Sequence, residues 1–266
     1  MKTLLCAVLF WVQALTLPAN LLGLPVALLG THPISSPPRG VEPVAIGFAE
    51  GFPPYQELDS RGGPQGLDVA LTKVVFAQTG IPYYLSAGKW DNQVARLRFN
   101  LGVDVLMGAE ITSDRLQYFR FSEPLYTRRS VLVVPANNHT IHSLTDLVGL
   151  TVTGDRGSRA EELLKRLGIL ERVRLRETSS KAQAFQLLKE KKVDACLMPE
   201  AVGVALERHD HYPVRLIPLA ETGTPVGFAF RPTETSLIHK VNEAIKTLRR
   251  QGQLAKLLNR WLKNSG

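Results

Sequence analysis

The residues whose types and spacing best suit chemistry are gathered in Met107-Gly-Ala-Glu-Ile-Thr-Ser-Asp-Arg115, where a cation, carboxylates and hydroxyls lie close together. Asp104-Val-Leu-Met107 is a mostly apolar run suited to a buried strand, and Gly108 is expected to break it. Thr112 or Ser113 is suited to accept a hydrogen bond from the open amides of a following helix. Arg115 then falls in that helix's first turn, where a cation opposes the helix dipole. Two outcomes are open: the guanidinium turns into water, or an anion offsets it. A carboxylate suits the second, because the guanidinium fork binds it through two parallel hydrogen bonds. A second junction of the same kind lies at Gly157 and Ser158-Arg-Ala-Glu161, which has the spacing of a capping box. There the helix amides face outward and Gly157 lets the backbone come close to an anion, although an ordinary capped surface helix fits the same residues.

Other chemistries find little support. Gly51-Phe-Pro-Pro-Tyr55 reads as a rigid aromatic loop, since proline fixes the backbone on which Phe52 and Tyr55 are displayed. Of two cysteines, Cys6 lies near the start of the chain and Cys196 within an apolar run, which implies a buried, inert thiol and no internal disulfide. His139, His142, His209 and His211 lack metal-ligand spacing, and neither a phosphate loop nor a nucleophile elbow occurs. No metal and no cofactor is implied. The formal net charge of +8 is spread along the chain without an aromatic-interleaved basic patch, which argues against nucleic acid as a partner.

These residues need a scaffold, and 266 residues with 44% hydrophobic content bury a core of one large or two small domains. After Lys2 no charged side chain appears until Arg39, so residues 1–30 read as a secretory leader or, uncleaved, as an N-terminal membrane anchor. Residues 31–43, rich in Pro and Ser, form a linker. From Val44 short apolar runs alternate with helical periods, the pattern of an α/β protein. Strands are expected at 44–49, 81–85, 131–135, 150–154, 193–198 and 226–230. Helices are expected to carry Leu67, Leu71, Val74 and Val75 up to Gly80; Val94 and Leu97 after a cap at Asp91; and Leu163, Leu164 and Leu167. A further helix covers 182–188, and two amphipathic helices separated by Gly252 close the chain.

In this order the pieces Phe52-Pro-Pro-Tyr55, Gly66-Leu-Asp-Val69, Trp90-Asp91, Asp104-Val-Leu-Met107, Ile111-Thr112 with Arg115, Phe121-Ser-Glu-Pro-Leu-Tyr126, Gly157-Ser158, Val193-Asp-Ala195 and the segment from Gly252 to Trp261 are distinctive together. The chain resembles the family 3 extracellular solute-binding proteins, the polar amino-acid receptors of bacterial ABC importers. That resemblance implies a two-lobed periplasmic-binding-protein type II fold with two crossing strands. Lobe 1 would comprise 44–130 and 226–266, and lobe 2 would comprise 131–225. It further implies a ligand cleft in which Phe52 and Trp90 pack on the ligand, Gly108, Glu110 and Thr112 form one wall, and Arg115 pairs with a ligand carboxylate. Ser158 would meet that carboxylate from lobe 2, where Arg159 adds a cation.

The chain also departs from the family pattern. Glu110 stands where Ser or Thr is common, and Pro199 stands where an acid usually receives the ligand's α-amino group. Glu200 takes over that role, Glu110 supplies the charge from lobe 1, or the ligand has no α-ammonium. The expected partners are a small carboxylate-bearing solute and an inner-membrane ABC permease, with the chain a periplasmic monomer, membrane-anchored if the leader is retained. The resemblance leaves two alternatives: a cyclohexadienyl-dehydratase-like enzyme, with Glu110 or Glu200 as proton donor, or an anchored sensory module.

Overall fold

The computed structural model describes residues 42–153, 159–220 and 222–262; the leader, the linker up to residue 41, the Gly157–Ser158 junction and the side chain of Arg159 lie outside them. Regular structure opens with β1 (Val44–Ala49), followed by the short pair β2 (Glu57–Leu58) and β3 (Pro64–Gln65) and by α1 (Leu67–Thr79). α1 buries Leu67, Leu71, Val75 and Phe76 and stops at Gly80, whose left-handed φ of 69° suits a residue without a side chain. Next come β4 (Tyr83–Gly88), α2 (Trp90–Arg98), β5 (Val105–Glu110), the single turn α3 (Ser113–Leu116), β6 (Arg120–Phe121) and β7 (Tyr126–Arg128). β8 (Ser130–Pro135), β9 (Thr151–Thr153), α4 (Arg159–Arg166), β10 (Arg174–Arg176) and α5 (Lys181–Lys189) follow. β11 (Ala195–Pro199), α6 (Glu200–Asp210), β12 (Val214–Pro218), β13 (Thr224–Phe230), α7 (Thr235–Arg250) and α8 (Gln253–Leu262) complete the chain.

The strands form two main sheets. The first has the order β4-β1-β5-β13-β6 with β7 also paired to β13, and the second has the order β10-β9-β11-β8-β12. β1, β4 and β5 are parallel, as are β9, β10 and β11, while β13 and β8 run against their neighbours. Central strands β5 and β11 are buried along their whole length, which explains their unbroken apolar runs. The chain passes from the first sheet to the second between β7 and β8, across Arg129, and returns between β12 and β13. β7 pairs antiparallel with β13 and β8 with β12, so the two crossing segments run side by side.

Four local expectations differ from the structure. Gly108 does not break β5: the strand runs through it to Glu110 at a φ of 60°, which a glycine tolerates. Asp91 does not cap α2; Lys89 holds the cap position and Asp91 lies in the first turn. Leu167 lies beyond α4 and is 48% exposed rather than inside. Helix α6 begins at Glu200, where the sequence suggested only a strand end, because its apolar face is limited to Val202 and Leu206.

Candidate functional site

A cleft lies where the carboxyl ends of the parallel strands converge, the usual place for a ligand in an open α/β sheet. The first sheet contributes the Ala49–Phe52 turn after β1, the start of α2, Gly108 and Glu110 of β5, Arg115 and Arg128. From the second come Ser130, Leu163, the Thr178–Lys181 start of α5, and Leu197, Met198 and Pro199 at the end of β11. The cavity in the cleft is about 170 Å³ and opens to solvent.

Arg115 sits in this cleft because α3 is a single tight turn. Thr112 Oγ1 accepts from the Arg115 amide at 3.3 Å and so caps that turn. The guanidinium bends back: Nη1 donates to the Glu110 carbonyl at 3.1 Å, lies 3.8 Å from Glu110 Oε2, and the group stands 5.3 Å from the centre of the Trp90 ring. Its side chain is only 12% exposed. Burial lowers the pKa of Arg115, and the Glu110 carboxylate opposes that shift. The cation therefore turns inward, and Glu110 is foremost among the acids that offset it, ahead of Glu162 and Asp91.

A second guanidinium, which sequence reading missed, lies beside the first. Arg128, at the end of β7, donates to Asp68 Oδ2 at 3.2 Å, to the Tyr126 hydroxyl at 2.5 Å and to the Gly108 carbonyl at 3.3 Å. Its Nη1 is 3.7 Å from Glu110 Oε1, so the Glu110 carboxylate stands between two arginines. Asp68 is satisfied by Gln56 Nε2 and the Tyr126 hydroxyl, both at 2.7 Å. Burial pushes the Asp68 carboxyl above its ordinary range against the pull of Arg128. Burial also opposes the Arg128 charge, but Tyr126, Asp68 and Glu110 raise its pKa above the usual arginine value. Each group has a partner and hydrogen bonds in a compartment nearly closed to water. The available signal was confined to Asp68, a charge between Leu67 and Val69; Arg128 stands among Thr127, Arg129 and Ser130, an ordinary polar setting.

Of the residues expected from sequence, Phe52, Trp90, Gly108, Glu110 and Arg115 line one cleft. Thr112 is not in that lining and caps α3 instead. Glu200 is exposed in the first turn of α6 and does not line the cleft, whereas Pro199 does. Ser158 and the side chain of Arg159 lie outside the described residues. Among the described residues no cluster of His, Cys, Asp and Glu could hold a metal ion. Cys196 is fully buried and its thiol pKa is pushed up to about 12 by burial.

Comparison with known proteins gives the chain's relatives. The chain is 26% identical over 219 residues to the L-cystine-binding protein TcyJ of Escherichia coli (strain K12), covering 81% of each. It is 23% identical over 231 residues to ABC transporter arginine-binding protein 1 of the same organism, covering 83% of this chain and 90% of that one. The solved structure of an ancestral arginine-binding protein bound to arginine superposes with a TM-score of 0.77 at 28% identity, covering 82% of this chain and 97% of that one. The profile of the bacterial extracellular solute-binding proteins, family 3, matches residues 44–264, and the chain belongs to that family.

Proposed function

We propose that the chain binds a small carboxylate-bearing solute, an amino acid or a related acid, in the cleft and delivers it to an ABC importer at the membrane. The observation that carries this reading is the largely buried guanidinium of Arg115, held in the cleft beside Trp90 and Glu110. In that setting a bidentate contact with a ligand carboxylate contributes about 1.5 to 3 kcal/mol per hydrogen bond. Phe52 and Trp90 pack on the ligand, and Gly108 forms part of the wall beside them. The lobes divide at residues 131 and 225, and the paired crossing strands act as the hinge by which they close. Residues 1–30 direct the chain to the periplasm as a leader, or hold it at the membrane if retained, and the binding unit is a monomer.

The reading is non-enzymatic because both acids of the cluster are engaged within the chain, Glu110 by the guanidiniums of Arg115 and Arg128, and Asp68 by Arg128, Gln56 and Tyr126. Isothermal titration with a panel of amino acids and organic acids tests the proposal, together with Arg115→Ala. One ligand at micromolar affinity, weakened at least about tenfold by Arg115→Ala, is the expected result. Absence of binding across the panel, or an unchanged affinity in the variant, rejects it. Turnover of prephenate or arogenate would replace it with the dehydratase alternative.

A further inference from the structure

We propose that Arg128 occupies the seat of a cationic ligand group, so that the cleft selects an acidic solute and excludes cationic amino acids. The inference rests on the solute-binding reading above and specifies its ligand class. The Arg128 guanidinium lies 4.2 Å from the ring centre of Tyr55, 5.1 Å from that of Phe52 and 5.5 Å from that of Tyr126. Asp68 and Glu110 stand at its edge, 3.2 and 3.7 Å away. Aromatic faces joined to carboxylates are what a protein uses to hold a ligand guanidinium, through cation–π attraction and charge-assisted hydrogen bonds. Here the cation in that cage belongs to the chain.

The rest of the cleft points the same way. Trp90, the other aromatic residue of the lining, already faces the Arg115 guanidinium. Three acids line the cleft among the described residues, of which Glu50 and Asp91 are exposed, leaving Glu110 as the enclosed one. An entering cation would have to share Glu110 with two guanidiniums in a low-dielectric site, where like charges oppose each other strongly. The start of α5 presents Thr178, Ser179, Ser180 and Lys181 from the opposite wall, and that wall has no acid among its described lining residues. The Ser179 and Ser180 hydroxyls bond Gln183 within the start of α5, so it is the charge of Lys181 that suits a second anionic group of the ligand. The favoured class is a compact solute bearing two acidic groups, such as a dicarboxylate or an acidic amino acid.

The test titrates the intact protein with L-glutamate, succinate, L-glutamine and L-arginine. At least tenfold tighter binding of L-glutamate or succinate than of the other two is expected. If L-arginine or L-glutamine binds tighter, the selectivity proposal is overturned while solute binding stands. If nothing in this set or in the broader panel binds, both fall together. In Arg128→Ala the vacated cage should admit a cation: L-arginine gains at least tenfold relative to the acids, and methylguanidinium raises the melting temperature of the variant but not of the wild type. An unchanged preference in a folded Arg128→Ala protein overturns the proposal. Should that variant not fold, Arg128→Lys keeps a cation in the cage and should keep the preference for acids; a switch to L-arginine in it overturns the proposal equally.

Discussion

Arg128 and Asp68 meet at 3.2 Å with side chains 3% and 1% exposed, linking β7 to the first turn of α1 across 60 residues of sequence. Breaking such a pair from one side leaves a buried charge without its partner, which costs about 3 to 5 kcal/mol. Asp68→Ala is therefore expected to lower the unfolding free energy in urea by that amount. The double variant Asp68→Leu/Arg128→Met removes both charges and should recover most of the loss, because apolar replacement of a buried pair is close to neutral. A loss below about 1 kcal/mol in Asp68→Ala would mean that the pair is not closed to water.

Gly108 makes the same cluster possible. A methyl group on it would collide with the Asp68 carboxylate and the Gln56 amide, and its φ of 60° is itself unfavourable for other residues. The backbone strain alone costs about 1 to 3 kcal/mol, and displacing two hydrogen-bonded side chains adds to it. Gly62 is a matched control, since its φ of 78° is similarly left-handed but nothing lies within 4 Å of an added methyl. Chemical denaturation should show Gly108→Ala losing at least about 2 kcal/mol more than Gly62→Ala. Equal losses would place the whole cost in the backbone and remove the packing argument.

The sequence was most informative where a pattern is local and continuous. β1 appears over Val44–Ala49 as its apolar run implies, α1 stops at Gly80, and the last two helices part at Gly252, where φ is 70°. Arg115 and Glu110 lie five residues apart, so a single segment already suggested that a cation and an acid could meet. Arg128 and Asp68 gave no such hint, because their encounter depends on where the sheet places β7 against α1. The two-residue and three-residue strands β6, β7 and β10 escaped for a related reason: pairing with neighbours, rather than their own periodicity, defines them. Glu200 misled because a charge next to a departure from the family pattern suggested a site, while its position at a helix start exposes it.

The tyrosines around Arg128 predict an alkaline signature. Tyr55 is 3% exposed, and burial pushes its pKa up to about 12, with Arg128 pulling the other way. In the unfolded chain a tyrosine loses its proton near pH 10, so between about pH 10 and 12 the unfolded state binds fewer protons than the folded one. Stability contributed by the protonated group is complete below pH 10 and is lost as the pH rises toward 12. The loss from Tyr55 amounts to about 2 to 3 kcal/mol. Urea midpoints should therefore fall less steeply with pH in Tyr55→Phe than in the wild type. The tyrosinate absorbance missing from that variant should be the part that develops near pH 12. If the missing step lies near pH 10, the hydroxyl is not enclosed.

Cys196 offers a probe of the opposite wall. It lies in β11, three residues before Pro199 in the cleft lining, with its thiol donating to the Ala184 carbonyl of α5 at 3.3 Å. A fully buried thiol with a pKa near 12 presents almost no thiolate at neutral pH. Labelling by a disulfide reagent at pH 8, read at Cys196 by peptide mapping, should be at least about a hundredfold slower than in urea. Both β11 and α5 must part before the sulfur is reached, so the residual rate measures local opening of the wall that carries Leu197, Met198 and Pro199. A solute that binds only the closed cleft should slow labelling further, in proportion to its occupancy. Rapid labelling of the native protein at this residue would show that β11 and α5 separate readily, and the second wall would then be too mobile to hold a ligand in a defined geometry.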